Sequence, residues 1–414
     1  MKRREIDLAV IGGGPAGMAA ALAAREKNIK DILLIERNHR LGGILKQCIH
    51  DGFGIELFNE TLTGPEYAQR YVEKIHDKRI EYLTDTMVLS LSPDKKIIGA
   101  SPDGLLDIRA KAVILAMGCR ERTRGNIAIP GSRPAGVYTA GCAQNFINLK
   151  NYMVGKDVVI LGSGDIGLIM ARRLTLEGAR VHAVVEVLPY SSGLPRNIRQ
   201  CLTDYDIPLY LNHTVTGVCG LKRVESVRIA EVDDRWRPKP ETTKEIKCDT
   251  LLLSVGLIPE NELSNAGGIK INPDTGGPIV DENLQTSISG VYACGNVLHV
   301  HDIVDWVSME ASKAGVKAAE YLTGIKTSEC NIKIKAGCGI RYVMPDMISG
   351  TRETDLFLRV SAPGRNKKIT LKDKKKILSS VPKVRVNPAE MIKLSLNGLD
   401  LSGVNELEVQ LEDG

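Results

Sequence analysis

One unit occurs twice in this chain, and it constrains the fold more than any other feature. Asp7–Ile11 (DLAVI) is a short apolar run that leads directly into GGGPAG at Gly12–Gly17, and MAAALAAREKN follows with the composition of a helix. One hundred and fifty residues later, Asp157–Leu161 (DVVIL) leads into GSGDIG at Gly162–Gly167 and then into LIMARRLTLEG. Each unit closes with a second apolar run that ends in an acid, Glu36 in the first and Glu186 in the second, 24 positions after the first glycine in both. A glycine-rich hexamer alone says little. It becomes specific when it follows a strand, opens a helix and is answered by an acid about 20 residues on. Gly12 and Gly162 then allow a tight turn, Gly14 and Gly164 let backbone approach a pyrophosphate, and Gly17 and Gly167 let the helix pack on the strand. The helix start supplies N–H groups and a positive dipole end, and the acid accepts from a ribose hydroxyl.

Two such units predict two dinucleotides, and FAD with NAD(P)H is a pair that exchanges hydride. A carboxylate at Glu186 accepts from the 2′-hydroxyl of NAD and repels a 2′-phosphate, so NAD(H) is favoured over NADP(H). Arg196 and Arg199 are the cations that could answer a phosphate instead. Hydride transfer needs the two rings held about 3–3.5 Å apart and no general acid or base, so no catalytic triad is expected.

Three further stretches follow in order: AVILAMGCRER (Ala112–Arg122), LLLSVGLIPEN (Leu251–Asn261) and TSISGVYACGN (Thr286–Asn296). Together with the paired glycine turns they resemble the two-dinucleotide-domain flavoprotein superfamily that includes thioredoxin reductase and NADH peroxidase, over roughly residues 1–325. The resemblance implies an α/β fold of two Rossmann-like three-layer domains, the second inserted in the first. Residues 1–122 and 255–327 would form the FAD-binding domain and 123–254 the NAD(P)-binding domain. It implies FAD contacts at Gly12, Gly14, Pro15, Ala16, Gly17, Glu36, Arg37, Gly42, Gly43, Ala116, Gly118, Gly295 and Asn296. NAD contacts are implied at Gly162, Gly164, Asp165, Ile166, Gly167, Glu186 and Gly256, although Asp165 itself reads as a variable loop position. Within the superfamily, IPGSRPAGVYTAGCAQ (Ile129–Gln144) is most similar to flavoprotein subunits of heteromeric dehydrogenases such as opine oxidase, hydrogen cyanide synthase and sarcosine oxidase.

The departures from that pattern carry equal weight. Thioredoxin-reductase relatives place a C-x-x-C after the Gly-Val that corresponds to Gly136-Val137; here the two positions are Ala140 and Ala143, with Cys142 alone between them. Glutathione-reductase relatives place two cysteines after Gly42-Gly43, where this chain has only Cys48. Without a dithiol, disulfide reduction is set aside. Asn296 stands where the superfamily has Asp, and its side-chain carbonyl can accept the same ribityl hydroxyl without the charge. The segment after Gly43 is expected over the isoalloxazine, which makes Cys48, His50 and Asp51 candidates for thiol or proton-transfer chemistry. The helix after Asn296 is expected to direct its positive end at the flavin pyrimidine edge. His299, His301 and Asp302 lead into it. The H-x-H pair has no third ligand nearby in sequence, so no metal site is expected.

Composition bounds the rest. With 414 residues, 43% hydrophobic and 25% charged, the chain is globular and long enough for two or three domains. A net charge of +5 is mild, and the basic run Arg365–Lys376 reads as a solvated face, so no nucleic-acid partner is expected. Nine scattered cysteines with no C-x-x-C fit a reducing cytoplasm. The KRR start and the apolar run after it imitate a signal peptide, but Gly-Gly-Gly-Pro breaks the run, and no stretch is long enough for a membrane span. Residues 328–414 alternate apolar and polar between Pro, Gly and Asn, which predicts a small β-rich C-terminal module for structure or partner docking. Cys330 and Cys338 within it do not form an iron–sulfur ligand set. The expected function is an FAD-dependent NAD(H) oxidoreductase, the flavoprotein subunit of a heteromeric dehydrogenase that oxidises a small metabolite. The alternatives are a stand-alone NADH oxidase or peroxidase using Cys48, and a non-catalytic FAD-binding scaffold.

Overall fold

The structure, a computed structural model, describes residues 2–351, 353–374 and 376–414. In chain order, Lys2–Ile11 is strand β1, Pro15–Glu26 helix α1, Ile32–Ile35 strand β2 and Gly104–Leu115 strand β3. Asp157–Leu161 is strand β4, Asp165–Leu176 helix α2, Arg180–Val185 strand β5 and Val304–Leu322 helix α3. The chain divides into two units, one of Met1–Cys119 with Pro259–Gly414, the other of Arg120–Ile258.

In the first unit β1 lies between β2 and β3 and is parallel to both, with Leu8 level with Ile32 on one side and Ala112 on the other. Glu81–Leu83 extends the sheet beyond β2, Val291–Ala293 pairs in parallel with the end of β3, and two antiparallel strands, Lys96–Ser101 and Met87–Leu91, complete it. Leu8, Ala9, Val10 and Ile11 are all buried, as a parallel strand covered on both faces must be. Helices α1 and α3 meet through small residues. Ala19, Ala20 and Ala23 of α1 and Ala311, Ala314 and Ala318 of α3 are buried, and a Cβ at Gly315 would overlap the carbonyl of Ala20. Alanine and glycine on these faces let the backbones touch.

The C-terminal strands belong to the same unit. They form a five-stranded sheet in the order Met347–Ile348, Ile332–Ala336, Glu406–Asp413, Gly364–Asp373, Lys376–Val386, and a three-stranded sheet of Ile340–Met344, Asp355–Val360 and Ile392–Ser395. Leu356, Leu358, Ile369, Leu371, Leu407 and Val409 are fully buried between them. Period-2 alternation in DLFLRV and ELEVQL is the signature of strands with one face inward. The basic run falls on the hairpin of Gly364–Asp373 with Lys376–Val386, where Lys367 lies opposite Lys383 and Arg365 opposite Arg385. Lys375 of that run lies outside the described residues.

The second unit holds a five-stranded parallel sheet in the order Val137–Thr139, Thr250–Leu253, β4, β5, Leu209–Tyr210. Strand β4 shows how it is layered. Val158 and Ile160 pack with Leu168, Met170 and Leu174 of α2. Val159 and Leu161 pack on the opposite face with Val215, Val227 and Ile229 of an antiparallel three-stranded sheet. Alternate residues of one strand thus serve two cores. Among the described residues no helix is long and apolar enough to cross a membrane.

Candidate functional site

The first glycine turn is sealed at two points and open at the third. Gly12 sits at φ +110°, and a Cβ there would overlap the carbonyl oxygen of Ala116 at the end of β3. A Cβ at Gly17 would overlap the carbonyl of Gly12, so helix and turn are in backbone contact. At Gly14 the nearest atom to a Cβ would be Gly43 Cα at 3.9 Å, which leaves free space beside the backbone. Gly43, at φ +55°, faces it so closely that its own Cβ would stand 2.9 Å from Gly14 Cα. The two glycines thus form a narrow mouth. Gly42, at φ +109°, donates its N–H to Gly13 O at 2.8 Å and fixes that approach. Helix α1 starts with Gly14 as its N-cap and Pro15 in its first turn, and no side chain caps it. Ala16 in that turn touches the later glycine motif, because a Cβ at Gly295 would come within 2.8 Å of its own Cβ.

Glu36 is buried at the end of β2. Its Oε2 accepts from Gly13 N at 2.8 Å and its Oε1 from Asn38 N at 2.8 Å and Asn38 Nδ2 at 2.7 Å, while Arg37 beside it is exposed. A carboxylate has about four acceptor positions, so capacity for a sugar hydroxyl remains. A gap lined by glycine, an uncapped helix start and a held acid fit the diphosphate and ribose of a dinucleotide.

The second turn repeats this build in its own unit. A Cβ at Gly162 would overlap the carbonyl of Ser254, one at Gly167 would meet Gly162 O at 2.7 Å, and one at Gly164 would make only ordinary contacts with Ser254 Oγ at 3.6 Å and Ser192 Oγ at 3.9 Å. Glu186 is buried, and its Oε2 accepts from Ser163 N at 3.0 Å, Ser163 Oγ at 2.6 Å and Ser192 Oγ at 3.1 Å; Leu188 N donates to Oε1 at 3.0 Å. Ile166 lies in the first turn of α2 and packs against the core. Gly256, at φ +98°, accepts from Arg122 N at 3.0 Å. Asp165 is more than a variable loop position. Its Oδ1 accepts from Leu194 N at 2.8 Å and Asn197 Nδ2 at 2.7 Å, so it clamps the serine-bearing loop that reaches Glu186. Arg196 and Arg199 are exposed on the short helix Pro195–Cys201.

The structure separates the thiol and proton-transfer candidates, each in its own segment. Cys48 donates to Ile44 O at 3.4 Å, and burial pushes its thiol up to about 12. Gly64 packs so tightly on it that a Cβ there would stand 2.9 Å from Cys48 Cβ. His50 lies 5.0 Å, centroid to centroid, from Phe53, and Asp51 is exposed. Ala140 and Ala143 are fully buried at the start of the helix Ala140–Lys150, and Cys142 is exposed. Gly118 takes φ +74° and accepts from Glu260 N at 3.0 Å. Helix α3 opens with Asp305, whose carboxylate accepts from Gly54 N at 3.1 Å and Leu57 N at 3.2 Å.

Asn296 is turned inward. Its Oδ1 accepts from His301 N at 3.0 Å and lies 3.2 Å from His301 Nδ1, and its Nδ2 points to Cys119 Sγ at 3.7 Å. The side-chain oxygen expected to meet a ribityl hydroxyl is thus already engaged by His301. The reading that H-x-H had no third ligand nearby is overturned. Glu310, eleven residues after His299, brings its Oε2 to 2.8 Å from His299 Nε2 and 3.4 Å from His301 Nε2. Burial pushes the Glu310 carboxyl up, but the two imidazoles outweigh this and hold it well below the usual carboxylate range; burial, with His301 beside it, lowers His299. Sequence proximity could not show this group, since Glu310 comes from the second turn of α3. The available signal was an acid on an otherwise Ala-rich inner helix face.

The family model described as pyridine nucleotide-disulphide oxidoreductase matches residues 6–319, a range that contains both glycine turns. Over 385 residues the chain is 25% identical to an opine oxidase subunit of Agrobacterium tumefaciens, covering 86% of this chain and 75% of that protein. It is 27% identical over 333 residues to hydrogen cyanide synthase subunit HcnB of Pseudomonas protegens, covering 74% and 67%. It is also 27% identical over 306 residues to thioredoxin reductase of Mycoplasma genitalium, covering 70% and 86%. The crystal structure of T. acidophilum thioredoxin reductase superposes with a TM-score of 0.62 at 24% identity, covering 78% of this chain and 98% of that one, which shows the shared fold.

Proposed function

This chain belongs to the pyridine nucleotide-disulphide oxidoreductase family, enzymes that use FAD with a nicotinamide nucleotide, and we propose that it is the flavoprotein subunit of a heteromeric NAD(H)-dependent dehydrogenase acting on a small metabolite. The observation that carries this is the pairing of two open glycine turns with buried alanines at Ala140 and Ala143 and a single thiol at Cys48. Such a chain can seat two dinucleotides but carries only a lone cysteine after Gly136-Val137 and after Gly42-Gly43, with no dithiol at either place to pass electrons to a disulfide, so its electrons go to or come from another centre. The names of the opine oxidase and hydrogen cyanide synthase relatives, both of them subunits, favour a companion chain as that centre.

In this reading Gly12, Gly14, Pro15, Ala16 and Gly17 hold the FAD diphosphate at the start of α1. Glu36 with Arg37 holds its ribose, and Gly42, Gly43, Ala116, Gly118, Gly295 and Asn296 line the rest. Gly162, Gly164, Ile166 and Gly167 with Gly256 do the same for NAD, Asp165 holds the loop beside them, and Glu186 takes the 2′-hydroxyl in exchange for its bond from Ser192 Oγ. A bound FAD supplies the two-electron exchange with the nicotinamide. The chain's own residues neutralise diphosphate charge with helix N–H groups, fix each ribose with a buried carboxylate and hold the glycine mouths open. The C-terminal strands, with their basic hairpin, offer the docking face. Cys48 as a peroxide-reducing thiol is disfavoured, because the thiolate is the nucleophile and burial holds this thiol protonated.

Anaerobic addition of NADH to the purified protein tests the proposal. Absorbance at about 450 nm should bleach, with NADH more effective than NADPH, and native extract should yield a companion chain on pull-down. A protein that carries FAD but stays oxidised with both nucleotides would leave only the scaffold reading. One that turns over peroxide at the rate of NADH consumption, and loses this in Cys48→Ser, would establish the stand-alone reading.

A further inference from the structure

We propose that His299, His301 and Glu310 form a binding site for one divalent transition-metal ion of zinc's ligand preference, set beside the first glycine turn. The inference does not depend on the dehydrogenase reading. The three ligand atoms lie within 4.8 Å of one another, and the imidazole centroids are 4.2 Å apart. The side chains of His299, His301 and Glu310 are 0%, 2% and 8% exposed, so the group is shielded from bulk water. Ligands about 2.0–2.1 Å from a tetrahedral zinc stand roughly 3.3 Å from each other, and the separations of 2.8 and 3.4 Å from Glu310 Oε2 bracket that value.

The outer atoms of the three ligands carry the argument further. His301 Nδ1 faces Asn296 Oδ1 at 3.2 Å, and that oxygen's identity is set by the backbone N–H of His301 donating to it at 3.0 Å. His301 Nδ1 therefore donates to Asn296 Oδ1, and its Nε2 faces the Glu310 carboxylate. The 3.4 Å between His301 Nε2 and Glu310 Oε2 is longer than a charge-assisted hydrogen bond of about 2.7–2.9 Å and suits two ligands of one ion, whereas His299 Nε2, at 2.8 Å from the same oxygen, is hydrogen-bonded to it, and an arriving ion would displace that proton. His299 Nδ1 lies 3.4 Å from Tyr342 OH, which accepts from Arg359 Nε at 3.0 Å. Glu310 Oε1 accepts from Gly295 N at 2.7 Å. Every ligand is thus oriented by a bond on its far side, which is how protein metal sites fix ring tautomers and carboxylates.

Charge favours the ion as well. Of the cations that act on this group, Arg359 is paired with Asp302 at 3.1 Å and Lys313, one helix turn beyond Glu310, faces Glu282 as well as Glu310, so the carboxylate of Glu310 is available to balance a dication. Imidazole nitrogen with carboxylate oxygen is a ligand set for zinc or another late first-row ion rather than for calcium or magnesium.

The full-length chain, expressed without a histidine tag and with its FAD, should be incubated with equimolar Zn²⁺, gel-filtered and assayed by elemental mass spectrometry. About one zinc per chain is expected, with an X-ray absorption first shell of nitrogen and oxygen only at about 2.0–2.1 Å and imidazole scattering beyond it. Glu310→Gln and His301→Gln should each lower the content to below about 0.1 per chain. The wild-type measurement decides the matter even if both variants misfold. Zinc below about 0.1 per chain, or a first shell containing sulfur from the cysteines, would overturn the proposal.

Discussion

Replacing Gly14 with alanine separates folding from dinucleotide binding. Gly14 has φ −76° and is the N-cap of α1, a conformation alanine adopts without strain, and the added methyl would find its nearest neighbour at 3.9 Å. Alanine is a poorer N-cap than glycine, so the fold should lose about 0.5–1 kcal/mol. The same methyl occupies the gap through which a phosphate oxygen must approach backbone N–H groups. Loss of one hydrogen bond to a charged group costs about 1.5–3 kcal/mol, which is roughly a 10- to 150-fold weaker FAD Kd. Flavin titration of the apo-protein, with thermal unfolding of the same sample, measures both numbers. Gly164→Ala should do the same to NADH while leaving FAD untouched. Gly12→Ala, by contrast, would set a methyl into the carbonyl of Ala116 at φ +110° and should fail through folding. A Gly14→Ala protein that melts like wild type and binds FAD within about threefold would show that the open mouth is not the diphosphate seat.

Three further outcomes follow from the same geometry. Glu186→Ala should raise KM for NADH about tenfold and shrink the NADH-over-NADPH preference, read with an artificial electron acceptor; an unchanged ratio would place nucleotide selection elsewhere. The Cys48 thiol is pushed up by burial from 9.0 to about 12, so the folded state stays protonated where the unfolded state ionises. Its stabilisation is complete below pH 9 and disappears as pH rises toward 12, so the denaturant midpoint of wild type should fall more than that of Cys48→Ser between about pH 8 and about pH 10.5. Equal falls would mean that Cys48 is accessible to water. Arg359→Met removes the ion partner of partly buried Asp302, which keeps only the Met391 N–H, and should destabilise the first unit by about 1–3 kcal/mol by calorimetry, and a loss under about 0.5 kcal/mol would deny the pair that role.

Local sequence carried most of the fold because each Rossmann-like unit is written in contiguous residues. A strand, three spaced glycines, a helix and an acid lie within about 30 residues, and their conformational demands, such as φ +110° at Gly12 and φ +98° at Gly162, are met by glycine alone at low cost. What stayed hidden depends on contacts between distant segments. Asp165 resembled a loop filler because its partners, Leu194 and Asn197, lie about 30 residues away. Glu310 was separated from the H-x-H pair by a helix turn whose position only packing reveals. Asn296 looked like a substitute for Asp in ligand binding, yet its oxygen is drawn to His301, five residues on. In each case residue type was right for a polar role, and the partner was set by tertiary structure.

The C-terminal strands bear on partner docking through the same network. They read as a module, and their core of Leu356, Leu358, Leu371 and Leu407 is their own. Yet Arg359, on one of those strands, donates to Val300 O and Asp302 at 3.1 Å each, Met391 N donates to Asp302 Oδ2 at 3.1 Å, and Ser349 and Thr354 donate to the buried carboxylate of Glu282. Residue 300 lies within five positions of Gly295, which touches the first turn of α1 through Ala16. A partner held by the C-terminal sheet would therefore be held in register with the first glycine turn rather than tethered to it by a linker. Much of the hairpin's charge remains available for such a contact. Lys367 and Lys372 are paired with Asp413 and Glu412, but Arg365, Lys368, Lys383 and Arg385 form no ion pair among the described residues. A companion chain docking there would need an acidic surface as the complement, and raising the salt concentration should then weaken that contact before it disturbs the fold.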